Sequence, residues 1–524
     1  MTTKTSHVAA LAIVLTISRV AAFNPGYMDP SSIEYLIVTS EILAPSWVVL
    51  AEWKTLRGVP AEIVTMAHID STNPGRDRAE RLRVYLKRRY STGALKWVLL
   101  GGDGDHVPIR IAHQMKYEEN PSVAPVPTDM YFAALDGTWD TDGNDQFGDT
   151  PPDNDRNNLL SEGALTDDIY ADIFVGRVPA TFTKEVDYFV AKLLRYEQNP
   201  PLSYLNDVMI MAAAPFKSGE SAPPMTTIQR LGQDVHRDFL DGWDIARHYS
   251  FCSEASSLKF YDWIPCQELR QTSALSGLKE GPHIVIHGGH AAADRLGTGF
   301  WIYIDGRSGG SLKLSDINGL RNEPAYSVVV SGSCLPGAFD RNSIGERFLF
   351  TRLGGAVAFV GNSRSVVTWE ILHQIYDLFQ AMWGYENPTF PLPGASTRFR
   401  ERHGSADGHL GQAIAETWYG LNDRWAAYNL NLMGDPEMRV WHGVPQGPMA
   451  LEHSGTFPGG YTVPVHVMNP FGDPVEGALV TAWIEGQFYE RGFTSPTGDV
   501  VIPALPTIED RLSITAHHPS FLPV

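Results

Sequence analysis

Downstream of the N-terminal segment, "IEYLIVTS" (Ile33 to Ser40) is an apolar, β-branched run between turn formers, the pattern of a buried strand. Helical spacing follows from Ser46 to Arg57 and stops at Gly58, a residue suited to a left-handed C-cap. "PAEIVTM" predicts a second strand, Arg78 to Tyr90 a helix with charged faces, and "LKWVLLGGDGDHVP" a third strand ending in Gly101-Gly102-Asp103. Beyond an acid-rich insertion, "DDIYADIFVGRVPA" predicts a strand and turn, and Thr183 to Glu197 a helix. Strands alternating with helices dictate parallel pairing and an α/β unit, in which ligands sit beyond the carboxyl ends of the strands.

"QNPPL" marks a linker, and a second alternation begins with "DVMIMAAAP", Asp207 to Pro215. "GPHIVIHGGHA", "AYSVVVSGSC" and "GGAVAFVGNS" predict further strands. Helices are expected from Thr226 to Leu240, Ile344 to Leu353, Thr368 to Trp383 and, as the last, Gly411 to Trp418. From Pro445 the period drops to two. "YTVPVHVMN", "GALVTAWIEG", "QFYERGFTS", "DVVIPAL" and "RLSITAHHP" predict a small immunoglobulin-like β-sandwich. The expected organisation is a targeting segment over 1–22, an α/β subdomain over 23–205, a larger α/β subdomain over 206–443 and the sandwich over 444–524. The fold class is therefore α/β with mainly parallel sheets, followed by a β-sandwich.

The N-terminal "MTTKTSHVAALAIVLTISRVAAFNPG" places Lys4 before an apolar stretch from Val8 to Ile17 and small residues at Val20-Ala21-Ala22. That is the pattern of a secretory signal, and it predicts a secreted or cell-surface protein. No other stretch approaches the ~20 apolar residues of a membrane-spanning helix. Asp+Glu number 60 against 41 Lys+Arg, a net charge of −19 that repels phosphate backbones and argues against nucleic acid as a partner. Oligomeric state is not legible.

The insertion carries Asp136, Asp140, Asp142, Asn144, Asp145 and Asp149 in close succession. Asp140, Asp142, Asn144 and Asp145 offer oxygen ligands around the bend at Gly143, a set that suits a structural Ca²⁺ but lacks EF-hand spacing. A solvated acidic loop is the alternative.

The chain has three cysteines. Cys252 and Cys266 are 14 positions apart (266 − 252) and close enough to bridge, although the count alone favours three free, buried thiols. Cys334 ends one apolar strand and His290 another, 44 positions apart (334 − 290), which is room for one crossover between neighbouring parallel strands. An imidazole and a thiol at one sheet edge can form a nucleophile and its acid/base partner. The backbone N–H groups of Cys334 and Ala291 are the natural oxyanion donors.

Gly289-His290-Ala291 and Ser333-Cys334 resemble the His-then-Cys dyad of the caspase-like cysteine peptidases, and more closely the gingipain family. "WVLLGGDGDHVP", "PTDMYFAALDG", "DIFVGRVPA", "RYEQNP", "GGAVAFVGNSRSVVTW" and "NLMGDPEMRVW" resemble that family's landmarks in the same order, over Ile33 to about Val524. The resemblance implies a caspase-like catalytic subdomain over 206–443 and cysteine endopeptidase activity on protein or peptide substrates, with no catalytic cofactor. It implies Cys334 as nucleophile and His290 as general acid/base. Gly289 belongs to the His motif, and Trp369 lines the substrate pocket. Three departures stand out. Ala291 replaces the family's glycine, where a positive φ would be costlier. Pro215 stands near the expected site of the carboxylate that orients the His, leaving Glu220 as the nearest acid. "PPMTTIQR", where the family places its specificity acid, contains none.

Two other readings compete. The same departures would fit an inactive binding or adhesion protein. His287, His290 and Asp294 could serve a metallohydrolase, but residues three apart at a strand end point to opposite faces. Ser363 and Ser365 lack a nucleophile elbow and read as loop residues.

Overall fold

The computed structural model describes residues 28–113, 125–140, 143–148, 170–213, 231–232, 234–235, 237–249, 266–298, 310–366, 368–384, 394–421, 424–454, 462–503 and 511–524. Within them the apolar runs pair into one eleven-stranded sheet. From one edge its order is Ala61–Thr65, Tyr35–Thr39, Trp97–Gly101, Phe174–Val178, Leu430–Gly434, Ala356–Asn362, Ser327–Gly332, Ile284–Gly288, Asp207–Ala212, Asp244–Tyr249 and Gln267–Glu268. Neighbours are parallel except at Leu430–Gly434, which runs antiparallel to Ala356–Asn362. The two alternations thus share a single sheet, joined through that strand. The central strands are buried along their whole length, as expected of a sheet covered on both faces.

Most of the predicted elements recur with small shifts at their ends, and the beginning of the helix expected from Thr226 to Leu240 lies outside the described residues. Helix Ala44–Leu56 stops at Gly58, whose φ of +92° is the left-handed conformation that the sequence anticipates. Helix Thr368–Trp383 has the predicted bounds. Three strands of this sheet escape the sequence reading. Leu430–Gly434 carries a polar Asn431, buried because its side chain accepts from the Asp129 N–H and donates to the Asn429 carbonyl. Asp244–Tyr249 is a half-exposed strand next to the edge with little apolar signal, and the edge strand Gln267–Glu268 is two polar residues. Helix Leu410–Gly420 is not the last, since Arg424–Asn429 follows it. At six residues that helix is too short to display a helical period.

Beyond the sheet, Ala450–Glu452, Val463–Met468 and Asp499–Ile502 form one antiparallel sheet, and Phe488–Phe493, Leu479–Ile484 and Ser513–His517 another. Val465, Val480, Ile502 and Ala516 meet between them in a common core, which makes the immunoglobulin-like sandwich. Arg491 donates to the Gly58 carbonyl and to Glu34, and Thr515 to the Leu56 carbonyl, docking the sandwich on the end of the first helix. No helix among the described residues is long and apolar enough to cross a membrane. Cys266 is disulfide-bonded and Cys334 is free, so the expectation of three free thiols does not hold.

A buried ionic cluster sits at the amino end of the parallel strands. The Lys54 ammonium lies 2.9 Å from Glu197, 2.5 Å from Asp435 and 2.5 Å from Glu437. Arg57 adds contacts of 2.9 Å to Glu197 and 3.3 Å to Glu437, and it also reaches His517 of the sandwich at 3.2 Å. The Tyr35 hydroxyl donates to Asp435 and the Trp53 indole to Glu197. Burial pushes the Glu197 carboxyl up, but Arg57 and Lys54 outweigh it and hold the group at about 2. Among the described residues these three acids are the group placed to share a metal ion, and Lys54 already occupies their centre. Removing that cation takes a contacting positive charge from all three buried carboxylates and leaves Glu197 and Glu437 to share Arg57. Lys54→Met is expected to destabilise the fold by about 3–5 kcal/mol, read as a lowered thermal midpoint; an unchanged midpoint would contradict this role.

Candidate functional site

The strand Ile284–Gly288 pairs in parallel with Ser327–Gly332, with His287 opposite Ser331 and Gly288 opposite Gly332. His290 and Cys334 each stand two residues past the last of those partners. The expected crossover therefore brings both to the carboxyl edge of the sheet, on neighbouring strands. Helix Thr368–Trp383 packs under this edge so closely that a Cβ on Gly332 would lie 2.4 Å from Ile371. Gly289 has a φ of +146°, and a Cβ there would lie 2.5 Å from the Ala213 Cβ, so the turn into His290 requires glycine.

Cys334 is half-buried in a turn held from several directions. Asn362 donates to the Ser333 carbonyl, and the Leu335 N–H donates to the Arg364 carbonyl at 3.1 Å. Leu335 takes a φ of +72°, a strained conformation for a leucine, directly after the cysteine. The Val366 N–H donates to Sγ at 3.4 Å, and the thiol faces the Val366 carbonyl at 3.6 Å. Burial pushes the thiol above its ordinary range, while bonds from Val366 and Ser365 pull it back only in part. Arg364 forks onto Asp340 at 3.0 and 2.7 Å and donates to the Pro125 carbonyl, tying the far end of the cysteine loop to the first subdomain.

His290 leads into a hairpin, Ala291–Ala292 against Arg295–Gly297. The Gly297 N–H donates to the His290 carbonyl at 2.9 Å. Antiparallel ladders alternate, so the next pair, Ala291 and Leu296, is not hydrogen-bonded, and the Ala291 N–H points away from Leu296. Ala291 is extended strand, so its methyl costs no backbone strain and the replaced glycine is no obstacle.

His287 lies fully buried beneath the site. Its Nδ1 is 2.9 Å from the Ser331 hydroxyl and 3.1 Å from that of Ser333, and its Nε2 is 3.1 Å from the Gly297 carbonyl. With both ring nitrogens engaged, and Asp294 forked onto Arg295, the trio His287, His290 and Asp294 is not arranged as a metal site. Ser363 is buried, with its hydroxyl donating to the Pro127 carbonyl, as befits a structural residue.

Other predicted residues stand apart. Trp369 is in the first turn of helix Thr368–Trp383, following the strap that touches Cys334, and its side chain lies outside the described atoms. Glu220 and Asp142 lie outside the described residues. Asp140 is engaged by the Arg76 guanidinium and by the N–H groups of Asn144 and Asp145, and Asp145 itself meets Arg76 at 2.7 Å. Arg76 thus brings a positive charge to two of the four predicted ligands. The sequence reading missed the supporting roles of Asn362, Arg364 and Val366, although "FVGNSRSVV" was already visible as a landmark around them.

The model of Peptidase family C25 matches residues 29–441. No curated protein matches the sequence. Among solved structures, the chain is similar to the Arg-specific cysteine proteinase gingipain R, with a TM-score of 0.66 at 14% identity over 96% of this chain and 98% of that one. It is similar to a second structure described as a protease, with a TM-score of 0.65 at 15% identity over 95% and 97% of the two chains. A complex of the pro- and mature domains of Porphyromonas gingivalis RgpB is also similar, with a TM-score of 0.63 at 14% identity over 94% and 98%. With most of its length matched by the family model and its fold shared with these proteinases, the chain belongs to peptidase family C25, the gingipain-type cysteine peptidases.

Proposed function

We propose that this peptidase is a secreted endopeptidase that cleaves through a covalent route, with Cys334 as nucleophile and His290 as general acid/base. The observation that carries the reading is the in-register parallel pairing that ends in both residues on adjacent strands. His290 takes the thiol proton as Sγ bonds to the scissile carbonyl carbon. The developing oxyanion is held by the N–H groups of Cys334 and Ala291, the latter turned away from its hairpin partner. His290 then gives its proton to the leaving amine as the C–N bond breaks, leaving a thioester. Water attacks the thioester, His290 accepts a proton from it, and the carboxylate product leaves as the thiol is restored.

The finer assignments rest on the family resemblance. Trp369 would line the substrate pocket, Gly289 would shape the turn into the acid/base residue, and Glu220 is the candidate to orient His290. A Ca²⁺ ion at Asp140, Asp142, Asn144 and Asp145 would enter in competition with Arg76. Secretion is supported by the N-terminal pattern and by the disulfide at Cys266, since such bonds persist in oxidising compartments. On this reading the purified mature protein begins at Phe23; a native protein starting at Met1 would contradict it.

Cleavage of a mixed fluorogenic peptide library tests the chemistry. Cys334→Ala is expected to abolish turnover, and His290→Ala to lower kcat by about 10²–10⁴-fold. Turnover that survives Cys334→Ala would overturn the reading, and an inert wild type would favour a binding protein on the same scaffold. The raised thiol also sets a pH dependence. Its thiolate forms only above the ordinary thiol range, about 8.5, so alkylation of Cys334 by iodoacetamide should still be climbing beyond that pH. A rate that plateaus near neutrality would mean that His290 has already taken the proton in the free enzyme.

A further inference from the structure

His287 is a buried imidazole that the proposed steps leave unused, yet it touches both halves of the site. A carbonyl oxygen can only accept, so the hydrogen on this ring sits at Nε2 and is donated to Gly297. Nδ1 is then left to accept from the hydroxyls of Ser331 and Ser333. Ser333 immediately precedes Cys334. Gly297, on the other side, donates its N–H to the carbonyl of His290. A short chain of contacts thus runs from the turn that presents the thiol, through one rigid ring, to the hairpin that presents the acid/base imidazole.

Resting on the assignment of Cys334 and His290, we infer that His287 is a positioning residue that fixes the separation of the two reacting side chains by holding the Ser333 turn and the Gly297 strand to a single ring. The strand pairing alone fixes the backbone only as far as Gly288 and Gly332. The two residues that follow on each side need another tie, and Ser333 and Gly297 receive it from His287. Burial pushes this imidazole down to about 4, so around neutral pH it keeps one hydrogen and one lone pair for this double role. A protonated ring would lose the acceptor that Ser331 and Ser333 need.

The test compares wild type, Cys334→Ala, His287→Leu, His287→Gln and Ser333→Ala in steady-state cleavage of the best library peptide. Iodoacetamide alkylation of Cys334 and thermal midpoints are measured alongside. Misplacing reacting groups by about 1 Å costs up to ~10²-fold in rate. His287→Leu should therefore lower kcat by about 10- to 100-fold with KM within about twofold. Alkylation, which needs no aligned imidazole, should stay within about twofold of wild type. His287→Gln, which offers both a donor and an acceptor, should recover part of kcat. Ser333→Ala removes one hydroxyl from the surface of the ring while leaving the ring in place, and it should lower kcat several-fold even if His287→Leu does not fold. Cys334-dependent turnover with wild-type kcat in Ser333→Ala and in any folded His287 variant overturns this inference alone. So does a loss of kcat that comes with faster alkylation and a lowered thermal midpoint, the pattern of general unfolding, which exposes the buried thiol. Turnover that persists in Cys334→Ala overturns the dyad assignment and the inference with it.

Discussion

The site depends on two fully buried strands, Ile284–Gly288 and Ser327–Gly332, lying parallel and in register. Parallel strands both end at the same edge, so residues two steps past each end emerge side by side. A shift of one residue would turn every side chain to the opposite face of the sheet. The apolar residues of both strands forbid that shift, because each face is packed in the core. The placement of His290 and Cys334 at one sheet edge is therefore set by strands that cannot slip, and loop contacts adjust their separation.

A buried ionic cluster joins several elements away from the site. Lys54, Arg57, Glu197, Asp435 and Glu437 bring together the first helix, the helix Thr183–Gln198 and the turn after Leu430–Gly434. Arg57 extends the contact to the sandwich through His517. Strand Leu430–Gly434 makes this possible, since its carboxyl end lies where its antiparallel neighbour Ala356–Asn362 begins. Buried charges in such a cluster are weak sources of stability but intolerant of losing one member. A related device holds the middle of the sheet, where Arg177 is fully buried and forks onto Asp129 at 2.8 and 2.7 Å.

Much of this was legible in the sequence, though not always for the reason it stood out. The strand ends bearing His290 and Cys334 follow directly from apolar runs broken by glycines. "RYEQNP" and "NLMGDPEMRVW" stand out as landmarks, and they prove to supply Glu197, Asp435 and Glu437 to the ionic cluster and not to the site. "DIFVGRVPA" and "PTDMYFAALDG" supply the Arg177–Asp129 fork in the same way. His287 follows the apolar run Ile284 to Ile286 in sequence, and it lies fully buried. Its contacts with Ser333 and Gly297 depend on tertiary placement that no local pattern encodes. Asn431 hides a strand because its polarity is satisfied only by partners distant in sequence. In the acidic loop, Asp140 and Asp145 meet the Arg76 guanidinium from the segment just before helix Arg78–Thr92, a contact between residues distant in sequence that no local pattern encodes.

The most direct measurement is the intact mass and peptide map of the enzyme after exposure to a peptidyl acyloxymethyl ketone, for wild type and for His290→Ala. The account predicts one stoichiometric adduct on Cys334 in the wild type, formed much more slowly without the imidazole. An adduct on another residue, or none on Cys334 while peptide cleavage proceeds, would contradict it.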